Sequence, residues 1–435
     1  MRREAGPRPP LSATFRALRN RNYRLFWIGQ VVSQMGTWMQ RVAQAWLVLQ
    51  ITDSPLALGT IATVQFSPVL IFSLFGGVLA DRMPKRRLLV ITQSVMAVQA
   101  LIFAVLTTTG LITLPQIYVL AAVLGVAAAL DTPTRQAFVV EMVGPADLAN
   151  AVALNSTQFN TARIAGPALG GAIVATVGVA ACYWLNAVSF IAVIGGLMLM
   201  RPSEFHPVVQ VAKGNVLRQI GEGVRYVVTT PDTAMVVLLV GVIGLLGYNF
   251  TVVLPLIARY VLNWGAAGFG ILTSAMGVGS LIAALGVAYR GRPTVRTLLL
   301  GASGFSVLFF LLALSRWGVV TIPLLVALGV SSIIFTSTAQ TRLQLVTPPE
   351  LRGRVMSIYS LLFMGTTPIG GLLIGVLAEH GGVRLMIAEL ALGCGLGVLA
   401  AMVYARRKGV GVGDHLTPRP PSLAGQGERG LAGGK

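Results

Sequence analysis

The sequence predicts an all-α integral membrane protein. Twelve transmembrane helices form two six-helix bundles, with both termini cytoplasmic. Three observations predict this: composition, the placement of basic residues, and an internal repeat. Of 435 residues, 55% are apolar and only 11% are charged, against about 25% charged in soluble domains. That excludes a pair of ordinary soluble domains, which need charge to cover their surface, and it excludes disorder. A membrane helix takes roughly 20 apolar residues, so about 240 of them suffice for roughly a dozen spans.

The elements follow in order. Residues 1–24 form a basic cytoplasmic N-terminus. It runs straight into a long apolar stretch with no small-residue cleavage site, so this is a retained first helix rather than a cleaved signal. The spans of the N-terminal bundle, 25–200, fall at 25–49, 56–80, 88–108, 115–135, 151–176 and 180–200. Residues 201–232 are the one long connection. In it Val216, Leu217, Ile220, Val224 and Val227 follow helical spacing, which predicts an amphipathic helix on the cytoplasmic surface. The C-terminal bundle, 233–405, has spans at 233–258, 268–289, 297–314, 318–341, 355–378 and 383–405. The tail, 406–435, is rich in Gly, Pro and Arg and is expected to be disordered.

With the N-terminus and every even-numbered connection inside, 28 of the 33 Lys and Arg residues fall on the cytoplasmic side. Arg259, Arg316 and Arg384 fall outside, and Arg41 and Arg163 lie within spans. This bias sets the orientation. The net charge of +19 is spread over short clusters rather than one patch, which excludes nucleic acid as a partner. The halves repeat weakly: GPADLANAVALN (144–155) matches TPPELRGRVMSI (347–358), and GPALGG (166–171) has the counterpart TPIGG (367–371). Two parallel six-span units are the signature of one transporter architecture. Cys182 and Cys394 sit in apolar runs, and His206, His380 and His415 are scattered. No metal-ligand spacing, catalytic arrangement or nucleotide-binding loop is present, so no cofactor and no enzyme activity are expected.

The loop after span two reads GGVLADRMPKRR (76–87). Small residues there let helices approach, and one acid ahead of a cation run can lock one conformation and release it in another. The basic residues alone fit a plain cytoplasmic loop. Gly77, Asp81, Arg82, Lys85 and Arg86 resemble the gating motif of the major facilitator superfamily, with Pro84 where that motif has glycine. In span five, Arg163, Gly166, Pro167, Gly170 and Gly171 resemble the GPxxGG motif of exporters in that superfamily, with Ala162 where a further glycine is usual. Helix packing alone also accounts for this pattern. Segments 19–55 and 131–155 resemble the branch containing enterobactin-exporter-like and macrolide-efflux-like proteins. The resemblance covers about 20–405. It implies export, a bacterial inner-membrane location and no particular substrate.

Independently of any family, span one carries a polar stripe. At 100° per residue, Gln30, Gln34, Thr37, Arg41 and Gln44 fall within 40° of one line. Such a stripe faces a wet cavity or the bundle interior. We read it as a candidate substrate cavity, with Asn249 among the polar groups of the second half; static interhelical hydrogen bonding is the alternative. Arg41 can attract an anionic group or pair with an acid. Asp131 and Arg135, four apart, predict a local ion pair. With Glu389 in span twelve they are the candidate coupling or gate residues. The expected function is secondary active export of a small amphipathic molecule, drug-like or siderophore-type, by proton antiport. The expected partners are that substrate, protons and the lipid bilayer; a monomer suffices. Uptake by the same fold and a non-transporting receptor are the alternatives.

Overall fold

A computed structural model describes residues 15–206, 216–290 and 294–410; side chains at 73–82, 216–220 and 288–290 fall outside this description. Among the described residues the ordered structure is helical throughout. The expected features at 1–14 and 411–435 lie outside the described residues.

After a short 3-10 turn at Arg16–Arg19, α1 spans Arg21–Thr52, α2 Pro55–Arg82, α3 Lys85–Thr108, α4 Leu114–Thr176 and α5 Val179–Met198. Next come α6 (Val216–Thr229), α7 (Pro231–Gly247), α8 (Phe250–Leu256), α9 (Ala266–Arg290) and α10 (Val295–Leu314). The chain ends with α11 (Gly318–Val346), α12 (Pro349–Met364), α13 (Thr367–Gly381) and α14 (Val383–Arg407). Ten helical stretches of the described residues are long and apolar enough to cross a membrane. The expected first span, α1, is not among them. Its polar residues, Gln30, Ser33, Gln34, Gln40, Arg41 and Gln44, dilute its hydropathy.

Several boundaries differ from the sequence expectation. The 63 residues of α4, at 1.5 Å each, would measure roughly 95 Å, about three bilayer cores. The stretch breaks at Gly144, where φ is 68° and ψ 175°, a backbone state that costs glycine least. The expected connection 136–150 is therefore helical on both sides of that break. In the second half the aligned position, Thr347, is the extended residue between α11 and α12. Span seven breaks at Tyr248–Asn249. Pro255 lies in α8, which runs into a π turn at Ile257–Val261. Span eleven breaks at Gly365–Thr366, between α12 and α13.

Helix α6 forms where an amphipathic helix was expected. It packs on α12 and α7, with Gly223 against Arg354 and Ile358. Arg354 pairs with Glu222, and the Tyr226 hydroxyl donates to the Val346 carbonyl at 3.3 Å. Val227 is buried in this contact and Val224 remains exposed.

Helices α1–α5 pack among themselves, as do α7–α14. The groups join chiefly through two helix pairs, α2 with α13 and α4 with α9, with smaller contacts of α8 and α9 on α1 and of α8 on α2. One face of the molecule carries the residues near Arg16, the Met83–Pro84 turn, the Gly144 break, the stretch 199–206 and α6. We refer to it as the terminal face. Asn22 and Arg201 close it with reciprocal side-chain-to-backbone hydrogen bonds, both 2.9 Å. The Tyr23 hydroxyl donates there to the Ala151 carbonyl at 2.9 Å. Burial raises its pKa, so it remains a donor. The opposite face carries the turns at 53–54, 109–113, 177–178, 262–265, 315–317 and 382.

Candidate functional site

The α1 stripe divides into three environments. Near the terminal face, Gln30 is buried and accepts from Arg135 Nη1 at 3.1 Å. In the middle, Gln34 and Thr37 are half-buried, and Thr37 spends its hydroxyl on the Ser33 carbonyl. Toward the opposite face, Gln44 donates to Gln65 of α2 at 3.1 Å. Between these levels stands Arg41, its guanidinium 4.5 Å over the Trp38 ring and its Nε buried without a hydrogen-bond partner. Arg41, Gln44, Leu58, Gln65 and Phe66 line a cavity with Thr251 of the second helix group. The space among these side chains is about 440 Å³ only when the adjoining open solvent is included, so the cavity is small and half-open rather than enclosed. Asn249 is buried at the break after α7, donates back to the Leu245 carbonyl of that helix, and packs against Gly370. Its Oδ1 is buried without a partner.

A second polar set lies on α1 outside the stripe. Gln40 donates to Gln99 of α3 at 3.1 Å and accepts from Asn186 of α5 at 2.6 Å. This network ties α1, α3 and α5 together. Sequence reasoning passed over Gln40 because it falls about 80° from Gln30, and its partners lie 59 and 146 residues away.

Asp131 is buried. It pairs with Arg135 Nε at 3.3 Å and accepts from the Thr92 hydroxyl at 3.1 Å and Gln93 Nε2 at 2.7 Å. Because Arg135 also reaches Gln30, a chain of contacts links α3, α4 and α1. Glu389 does not join it. It is exposed on the outer side of α14, beside exposed Leu385 and Leu392. Only five residues separate it from Val383 at the start of α14, which places it near the opposite face, where an acid keeps its water.

In the loop motif, the side chains of Gly77, Asp81 and Arg82 lie outside the described residues. Lys85 pairs with Glu141 of α4. Arg86 caps α5, donating to the carbonyls of Leu197 at 2.7 Å and Met198 at 2.9 Å. These two cations bind α3, α4 and α5 into one body.

The span-five motif lies between the helix groups. Gly166 packs on Trp38 and Gly170 on Met39, both in α1. Gly171 faces Ala266 and Gly270 of α9, and a Cβ at Gly270 would meet the Pro167 carbonyl oxygen at 2.4 Å. The second junction mirrors it. A Cβ at Gly59 of α2 would meet the Gly371 oxygen of α13 at 2.4 Å. Only small residues allow this approach. Arg163 Nε is buried without a hydrogen-bond partner.

Polar contacts close the junction at the opposite face. Asp53, with φ 47°, accepts from Arg259 Nε at 3.2 Å and Tyr260 at 3.1 Å. Glu379 accepts from the Ser54 hydroxyl at 2.9 Å and the Leu56 N–H at 3.1 Å. Deeper, Thr63 donates to the Pro368 carbonyl at 2.6 Å and Ser274 to the Ile164 carbonyl at 2.6 Å. Asp53 and Arg259 are largely exposed, so their pair contributes about 1 kcal/mol or less. Asp53→Asn is therefore expected to loosen this face by no more than about fivefold. The check is the rate at which a cysteine placed at Leu58 reacts with an impermeant maleimide.

Residues 12–418 match the profile of a family described as transmembrane secretion effector. The chain is 28% identical over 366 residues to the multidrug efflux pump Tap of Mycolicibacterium fortuitum, covering 81% of this chain and 88% of that one. It is 27% identical over 428 residues to the enterobactin exporter EntS of Escherichia coli K12, covering 92% and 94%. With the staphyloferrin A transporter of Staphylococcus aureus it shares 25% over 357 residues, covering 80% and 87%. A bacterial homolog of the human lysosomal transporter Spinster, solved inward-facing and unoccupied, superposes with a TM-score of 0.71. That match has 12% identity and covers 92% of this chain and 98% of that one.

Proposed function

Because the chain belongs to the transmembrane secretion effector family of the major facilitator superfamily, we propose that it exports a small amphipathic molecule, drug-like or siderophore-type, by alternating access and proton antiport. The observation that carries this reading is the cavity between the helix groups, lined by Arg41 and Gln44 of the α1 stripe, with the Asp53–Arg259 and Glu379–Ser54 contacts joining the groups at the opposite face. Relatives named as an efflux pump and an exporter support the direction.

In this reading α1 and the ten apolar stretches make twelve spans, with α4 counted on both sides of Gly144. They form two six-helix bundles in a bacterial inner membrane. The terminal face is cytoplasmic, since that side carries the excess of Lys and Arg. The closed face is then the outer one, and cargo enters from the cytoplasm. Export requires the α2–α13 and α4–α9 junctions to part at the outer face while the bundles close at the other. Asp81 and the cations after it act in that second closure. Asp131 is the proton carrier. Protonation removes its charge from Arg135, which weakens the grip of Arg135 on Gln30 and frees α1 to move.

Everted membrane vesicles test the proposal. With an inside-acid gradient, adding a transported compound is expected to release protons from vesicles bearing the protein and not from empty-vector vesicles. A dye, macrolide and catecholate panel covers the named classes. Accumulation of a compound by intact cells, with no proton release from everted vesicles, would establish uptake instead.

A further inference from the structure

Two guanidinium groups, Arg41 of α1 and Arg163 of α4, have no carboxylate partner among the described residues; Arg41 lines the cavity. Arg41 and Arg163 each have a buried Nε lacking any hydrogen bond, and among the described residues neither forms an ion pair. Intramembrane cations are almost always paired, because an isolated charge in a low-dielectric setting is costly. Among the described residues, three acids of the neighbouring helices and turns are engaged elsewhere. Asp131 is held by Arg135, Asp53 by Arg259, and Glu379 by Ser54 and the Leu56 N–H. The ring of Trp38 under Arg41 orients the cation and leaves its charge in place.

Aromatic groups accompany both arginines. The Trp38 ring meets Phe159 edge-on at 6.0 Å. Phe159 is 45% exposed and lies one helical turn before Arg163. Arg163 is within electrostatic reach of Tyr248 from the second helix group. The strip Trp38–Arg41–Phe159–Arg163–Tyr248 thus runs from one half to the other, offering cations and ring faces together.

We infer that the cargo is an anion with a flat apolar body, its acidic group neutralised by Arg41 or Arg163 and its body lying against Trp38 and Phe159. The inference rests on the transport reading only in taking the space between the helix groups as the cargo site, where Arg41 lines the cavity and the other residues of the strip lie beside it; it does not depend on direction or coupling. Two uncompensated positive charges between low-dielectric walls attract anions and repel organic cations.

A charge series on one ring system tests it. Equilibrium dialysis of the purified full-length protein is performed with 2-naphthoate, 2-naphthamide and 2-naphthylmethylammonium. The anion is expected to bind at least tenfold tighter than the cation, with the amide between. Arg41→Gln/Arg163→Gln is expected to erase that preference, and Arg41→Lys/Arg163→Lys to keep part of it. Size-exclusion profiles show whether each variant is folded, and the lysine variant keeps the test decisive if the glutamine variant is not. Equal or tighter binding of the cation, an unchanged preference in a folded glutamine variant, or no binding of any probe up to 10 mM would overturn the inference. Anion-selective binding without vesicle export would instead overturn the export reading and leave this one standing.

Discussion

The double variant Gly59→Val/Gly270→Val is expected to insert normally and to transport nothing. A side chain at either position meets backbone rather than a movable side chain: the Gly371 oxygen and Gly375 Cα at one site, the Pro167 oxygen and Gly171 Cα at the other. Backbone of two packed helices cannot give by an ångström without separating them. Overpacking costs about 2 kcal/mol at each site, and the two sites lie on different helix pairs, so their costs add. The total of about 4 kcal/mol lowers the population of the form closed at this face nearly a thousandfold. Neither residue touches the Gln30–Arg135–Asp131 chain or the Arg41 cavity, so binding at the cavity is expected to persist. Flux in proteoliposomes and maleimide reactivity at Leu58→Cys report the effect. Wild-type flux in the double variant would show that this junction need not close.

Asp131→Asn is the second large effect. The wild-type carboxylate receives donors from Thr92, Gln93 and Arg135 while buried. An asparagine of the same shape directs an NH₂ group at one of those donors and leaves Arg135 without its counter-charge. Removing one member of a buried pair costs about 3 kcal/mol or more. A lower thermal midpoint and loss of proton exchange are expected together. A second substitution separates the two roles. In Asp131→Asn/Arg135→Gln the uncompensated charge is gone, so much of the stability is expected to return. Proton exchange is not expected to return, because no ionisable group remains at the site. Restored proton release in the double variant would remove Asp131 from the coupling step.

The candidate site was legible to different depths. Arg41 and Gln44 were visible in the helical period of span one, and both line the cavity. The same period assigned Gln30 to that cavity, yet it is buried against Arg135. Glu389 was a candidate coupling or gate residue because its span is apolar, yet it is exposed and faces outward. Asp53 and Tyr260 drew no notice and Arg259 figured only in the count of basic residues, since a single charge in a short turn resembles ordinary loop chemistry. Their roles come from meeting across 206 and 207 residues of chain.

Amphipathic period, apolar runs and helix-breaking residues act within a few turns of chain. They determined the helical class, the α1 stripe and the Asp131–Arg135 pair. Satisfaction of a buried polar group depends instead on whichever helix lies opposite, and that partner is remote in sequence. Tertiary packing alone therefore decided that Gln40 belongs to a structural network, that glycines of α2 and α9 meet backbone of the other half, and that Arg41 and Arg163 have no carboxylate partner among the described residues.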